Sequence, residues 1–190
     1  MHNANIKPCT LSQVQLLQEI AIKTYYETFS DTNSEALLQS YFEASLNIKT
    51  LSQQLVHPHS AFYFIYAKND TQYTTPAGFL KLNINDAQSD LMDPTALEVE
   101  KIYLLDAFLS QGLGKQMIEF SITQAKQKNK SYLWLGVWEN NFPAIKFYQK
   151  MGFEQFSTHN FDMGGDIQTD WLMKRKTVIW QPLSTDRNNL

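Results

Sequence analysis

Gln111-Gly112-Leu113-Gly114-Lys115 stands between an apolar strand segment and an amphipathic helix. A helix N-terminus leaves its first N–H groups unpaired and carries partial positive charge, so phosphates bind there readily. Glycines let such a turn tighten and let phosphates approach the backbone. Lys115 adds a cation in the first turn. A lone Gly-x-Gly also serves any strand-to-helix turn that needs φ > 0. Here the third glycine of the dinucleotide fingerprint is missing, and so is the Gly-Lys-Ser/Thr of a P-loop. A second segment follows, Asn141-Phe142-Pro143-Ala144-Ile145-Lys146-Phe147-Tyr148, closed by Gly152-Phe153. Asn140 or Asn141 caps a short helix there, Pro143 sits early in it, and Gly152 stops it. Tyr148 falls near the far end.

Working outward, the helix after the glycines places Leu113, Met117, Ile118, Ile122 and Ala125 on one side. Leu97–Leu105 before it and Tyr132–Trp138 after it read as strands, which makes a right-handed strand-helix-strand unit. Tyr132–Trp138 is almost wholly apolar, as a strand buried on both faces would be. Upstream, Thr10 and Gln13 form a capping box that starts a helix running to about Phe29. Helices follow over Ser34–Glu43 and Asn47–Val56, the latter stopped before His57-Pro58. Ala61–Ala67 and Ala77–Asn85 read as a hairpin across the polar Lys68–Pro76 loop. Asp86–Pro94 reads as an exposed loop. Phe153–Met163 and Ile167–Lys174 make a last strand pair. The order predicts an α/β fold with a mixed sheet. One domain over 1–176 is expected, with a tail over 177–190 in which Trp180 packs back.

A chain of 190 residues with 43% hydrophobic content builds one sizeable core without staples. Its one cysteine, Cys9, excludes an internal disulfide and reads as a small apolar filler. The first residues lack the basic end and apolar run of a signal peptide, and no stretch has the length of a membrane span. A cytoplasmic location is expected, with no membrane partner. Net charge is −3 and the basic residues are scattered, which disfavours nucleic acid. No His/carboxylate spacing suggests a metal. A homodimer is left open.

Taken together, the two segments resemble the GNAT superfamily of acetyl-CoA-dependent N-acetyltransferases. Its glycine signature, Gln/Arg-x-x-Gly-x-Gly/Ala, falls on Leu109 to Gly114. Its second signature falls on Asn141, Ala144, Phe147-Tyr148 and Gly152-Phe153. Leu109 departs from the expected Gln or Arg, which removes side-chain support from that position, with Gln111 compensating in part. Leu97 to Leu104, Leu133 to Glu139, and His159-x-Phe161-x-Met163-Gly164 through Asp170 look like the bacterial PaiA-type subgroup, associated with acetylation of spermidine and spermine.

The resemblance implies a GNAT-like, mostly antiparallel twisted sheet of six to seven strands, with helices on both faces. The sheet would splay between Leu97–Leu105 and Tyr132–Trp138. It implies acetyl-CoA in that cleft, its arm on backbone around Tyr103, Leu104 and Leu105. The pyrophosphate would lie on Gln111, Gly112, Leu113, Gly114 and Lys115, with Asn141 and Lys150 at the other side. Glu98 takes the position of the family's general base, and Glu100, two residues on, is the other candidate. Tyr148 matches the acid for the departing thiol, and a backbone N–H near Leu104 the oxyanion donor. The acceptor would be a small-molecule amine, preferably a polyamine, with Tyr25, Tyr26, Glu27 and Asp31 as groove residues. A protein or peptide acceptor, and a CoA-binding regulatory module without activity, are the competing readings.

Overall fold

The computed structural model describes residues 5–67, 70, 72–162 and 167–177. The expectations for Met163, Gly164, Trp180 and the tail, and for part of the Lys68–Pro76 loop, lie outside the described residues. Seven strands form one sheet: β1 (Ile6–Pro8), β2 (Ser60–Tyr66), β3 (Pro76–Asn83), β4 (Ala96–Leu104), β5 (Tyr132–Trp138), β6 (Glu154–Asp162) and β7 (Ile167–Lys176). Their order is β1-β2-β3-β4-β5-β7-β6. Every neighbouring pair is antiparallel except β4 and β5, which are joined by a helical crossover.

The helices are α1 (Val14–Phe29), α2 (Glu35–Ser45), α3 (Ile48–Leu55), α4 (Leu113–Gln127) and α5 (Phe142–Lys150). Their starts are written locally. Gln13 accepts from the Thr10 N–H at 3.0 Å, Ser34 from Leu37 at 3.3 Å, and Asn47 from Thr50 at 2.9 Å. Such caps each contribute about 1 kcal/mol. Two cores clamp the sheet. Leu17, Tyr25, Leu38 and Leu51 of α1–α3 pack on Phe62, Phe64 and Phe79 on one face. Leu113, Met117 and Ile118 of α4 pack with Leu97, Leu133, Leu135 and, from α5, Ile145 on the other. Burying a side chain such as Leu17, fully enclosed, contributes on the order of 2 kcal/mol.

What shapes the site is the junction of β4 and β5. Only Ala96, Leu97 and Glu98 have partners on β5, namely Tyr132, Leu133 and Trp134. Both strands continue past that rung, to Leu104 and Trp138, without pairing. A bulge contributes to the divergence. On the β3 side Lys81 pairs with Lys101 and Leu82 with Val99, so Glu100 is an extra residue in β4. An extra residue bends and twists its strand. Phe29 of α1 bridges the gap on one face, with ring centroids 6.4 Å from both Tyr103 of β4 and Trp138 of β5.

Candidate active site

The glycine turn is an open amide cradle. Gly112 is the N-cap of α4 in the left-handed conformation, φ 78°, ψ 6°. A Cβ built there would meet nothing within 4 Å. The first helical bond of α4 runs from Gln116 N–H to the Gly112 carbonyl at 3.2 Å. The amides of Leu113, Gly114 and Lys115 therefore precede the ladder, and no side chain caps them. At Gly114 a Cβ would lie 3.4 Å from the Phe147 ring, so α5 packs close against this turn. Gln111 does not face a ligand position; its Nε2 donates to the Ala107 carbonyl at 2.8 Å and braces the preceding loop. Leu109 is exposed and brings no polar group. Lys115 lies 3.8 Å from Glu119 on the exposed side of α4.

The gap-facing edge of β4 offers backbone groups. Leu105 N–H donates to the Ala77 carbonyl at 2.9 Å, so its amide is taken by the β3 side. Alternation along the strand turns Tyr103 the same way and leaves Ile102 and Leu104 facing the gap. Across the gap, Asn141 caps α5 by accepting from the Ala144 N–H at 3.2 Å. Lys150 is exposed in the last turn of α5. Tyr148 has its ring in the α4/α5 core, 5.9 Å from the Phe153 ring. Burial pushes its hydroxyl well above the ordinary tyrosine range. That hydroxyl makes no hydrogen bond among the described residues, and it is not sealed from solvent.

The two carboxylates have opposite surroundings. Glu98 is 2% exposed and sits at the last paired rung. It accepts from the Ser89 N–H at 3.0 Å, from the Ser89 hydroxyl, and from Asn83 Nδ2 at 2.9 Å. Burial and then the neighbouring Glu100 charge push its pKa up, against the pull of those donors. Glu100 is ion-paired to Lys81, and to Lys101 at 3.3 Å. Burial pushes Glu100 up too, but Lys101, Lys81 and Asn83 outweigh it and hold the carboxyl at about 2. Asn83 donates to both carboxylates and so ties them together. Glu98 is thus a carboxylate whose proton affinity its site raises, and Glu100 a counter-ion held ionised.

Of the expected groove residues, Tyr25 faces inward, stacked on Tyr41 with ring centroids 4.4 Å apart and 5.7 Å from the Tyr103 ring. Tyr26 is exposed on the other side of α1, and Asp31 is exposed. Glu27 accepts from the Asp106 N–H at 2.8 Å, tying α1 to the loop before the glycine turn.

Sequence reasoning missed the partners of these groups. Asp86–Pro94 reads as exposed, yet Ser89 holds Glu98, and Gln88 is buried and accepts from Trp134 Nε1 at 2.7 Å. Nothing local marks that role. Lys81 and Asn83 did carry a signal, since both interrupt an otherwise apolar strand and a buried lysine requires a partner. Among the described residues no cluster of three metal-binding side chains occurs, and no helix is long and apolar enough to cross a membrane.

A central sheet that parts after one parallel junction, with uncapped amides at one end and a buried carboxylate at the other, has the layout of an acyl-CoA-dependent transferase. Open space lies over Gly112, and β4 has no β5 partner at Ile102 and Leu104. Residues 15–153 match the acetyltransferase (GNAT) family, and the chain belongs to that family. A protein of Lactobacillus delbrueckii subsp. lactis, described as an uncharacterized N-acetyltransferase in the pepI 3' region, is 39% identical over 175 residues, covering 91% of this chain and 98% of that one. The PaiA N-acetyltransferase of Thermoplasma acidophilum, solved with coenzyme A, shares the fold at TM-score 0.71 and 20% identity, covering 90% of this chain and 97% of that one. The ribosomal-protein-S18-alanine N-acetyltransferase of Escherichia coli does so at TM-score 0.64 and 14% identity, covering 91% and 93%. The chain is an N-acetyltransferase with acetyl-CoA as acyl donor.

Proposed function

We propose that this enzyme acetylates a primary amine of a polyamine such as spermidine or spermine by direct attack. The observation that carries the reading is Glu98, a buried carboxylate of raised basicity at the rung where β4 and β5 part. An ammonium acceptor must lose a proton before it becomes a nucleophile, and a base of this kind serves that step, through one water given its burial. Acetyl-CoA supplies an acyl group activated as a thioester. For its binding we assign the amides from Gln111 through Gly112, Leu113 and Gly114 to Lys115, the gap-facing β4 edge at Leu104, flanked by Tyr103 and Leu105 whose own amides turn to β3, and Asn141 and Lys150 across the gap. The Leu104 N–H faces the gap and serves as donor to the developing oxyanion. Like a tyrosine of ordinary pKa, Tyr148 is protonated at neutral pH, and burial raises its pKa further, so it acts as a hydrogen-bond donor to the departing sulfur. Tyr25, Phe29 and Tyr103 provide aromatic surface beside the gap, which suits a cation.

The test is thiol release from acetyl-CoA with spermidine, spermine, aminoglycosides and peptides as acceptors. Release that depends on spermidine supports the proposal. Release with peptides alone transfers the activity to protein acceptors. Silence with every acceptor, despite acetyl-CoA binding, leaves a CoA-binding module.

A further inference from the structure

Gly136 lies in β5, at the middle of the sheet, yet it is exposed. Its neighbours Leu135 and Val137 are buried in the core on the α4/α5 face, so the opening is on the opposite face. That face also carries Glu98 and its rung partner Trp134. A Cβ on Gly136 would lie 3.4 Å from Asp170 Oδ2, so the carboxylate leans over the glycine. Asp170 belongs to β7, opposite Trp138, and its side chain is only 19% exposed. Among the described residues its partner is His159, whose Nε2 lies 3.8 Å from Asp170 Oδ2, a long ion-pair contact, while His159 Nδ1 is held by Asp90 at 2.7 Å. Burial first, and the Glu139 charge after it, push the Asp170 carboxyl up against the pull of His159. Phe29 and Trp138 wall the same side of the gap.

A largely buried carboxylate with a long 3.8 Å contact to His159, beside aromatic rings and over a bare glycine, has the makings of a cation site. Resting on the amine-acceptor reading above, we propose that Asp170 binds a second ammonium group of a di- or polyamine in the hollow over Gly136, while the first reacts at Glu98. Four residues along β5 separate the rungs of Glu98 and Asp170, about 13 Å, and two strand steps add about 10 Å sideways. The Cα atoms thus stand about 16 Å apart, with the Asp170 carboxylate over Gly136 and the Glu98 carboxylate held by Ser89 and Asn83 at the other end. That span suits an extended chain with several methylenes between its nitrogens.

Calorimetric titration of spermidine and of propylamine into CoA-loaded protein tests this. Asp170→Asn should weaken spermidine binding about tenfold or more, the loss expected for a charged hydrogen bond, and leave propylamine and CoA affinities unchanged. Gly136→Leu should weaken spermidine equally by filling the hollow with the carboxylate intact. Unchanged spermidine affinity in Asp170→Asn, or no spermidine binding to the native protein, overturns the proposal. If binding depends on Asp170 but no acetyl is transferred to spermidine, the acceptor reading fails and this site stands. If transfer occurs with the same spermidine KM in Asp170→Asn, this site fails and the acceptor reading stands.

Discussion

A side chain at Gly112 should cost cofactor affinity far more than it costs stability. In Gly112→Val the folded protein has room, because nothing lies within 4 Å of the new Cβ. The penalty is the left-handed backbone at φ 78°, about 1–2 kcal/mol for an L-residue. For a domain of this size that lowers Tm by roughly 2–8 °C. Cofactor binding suffers more, because the isopropyl group enters the space through which phosphates reach the Leu113, Gly114 and Lys115 amides. Losing two charged hydrogen bonds there removes about 3–6 kcal/mol, a factor of a hundred or more in Kd. Gln111→Ala removes only the exposed bond to Ala107, worth about 1 kcal/mol of loop bracing. Calorimetric titration with CoA, beside thermal melts, separates the two variants. If Gln111→Ala weakens CoA more than Gly112→Val does, the turn works through side chains and the backbone-cradle reasoning is refuted.

Two further predictions concern the buried polar groups. Tyr148→Phe removes a hydroxyl with no protein partner, so Tm and acetyl-CoA affinity should hold while kcat falls about 100-fold; an unchanged kcat removes Tyr148 from the reaction. Glu100, whose folded carboxyl is lowered to about 2 from an ordinary value of 4.5, stabilises the fold above pH 4.5, and that stability is lost as pH falls toward 2. Urea unfolding of Glu100→Gln should therefore show a flatter acid limb than the native protein. Its stability at pH 7 should be lower by about 3–5 kcal/mol, because Lys81 loses its partner; an acid limb of native slope would refute the pairing.

The parts of the molecule that were legible in sequence are those whose physics is local. The Thr10–Gln13 box, the helices over Ser34–Glu43 and Asn47–Val56 and the Tyr132–Trp138 strand each rest on a few adjacent residues, and the structure has them within a residue or two. The glycine turn was legible because a positive φ needs glycine and a helix start needs a cap. β1 was not, since three residues do not make a pattern; Ile6–Pro8 is a strand because β2 offers an edge. Spacing alone could not say which of Glu98 and Glu100 would be the ion-paired one. That distinction comes from Ser89 on one side and from Lys81 and Lys101 on the other, brought in by tertiary contacts and a bulge. Gly136 looked like any residue of an apolar strand, and only the exposed hollow above it gives it a role.

In the proposed reaction Glu98 is the group that takes the acceptor's proton. Glu98→Gln keeps the shape and can keep an acceptor toward Ser89, while removing the basic oxygen. Steady-state turnover with saturating acetyl-CoA and spermidine should fall about 100-fold or more, with CoA affinity unchanged. Turnover equal to that of the native enzyme in Glu98→Gln would contradict the account.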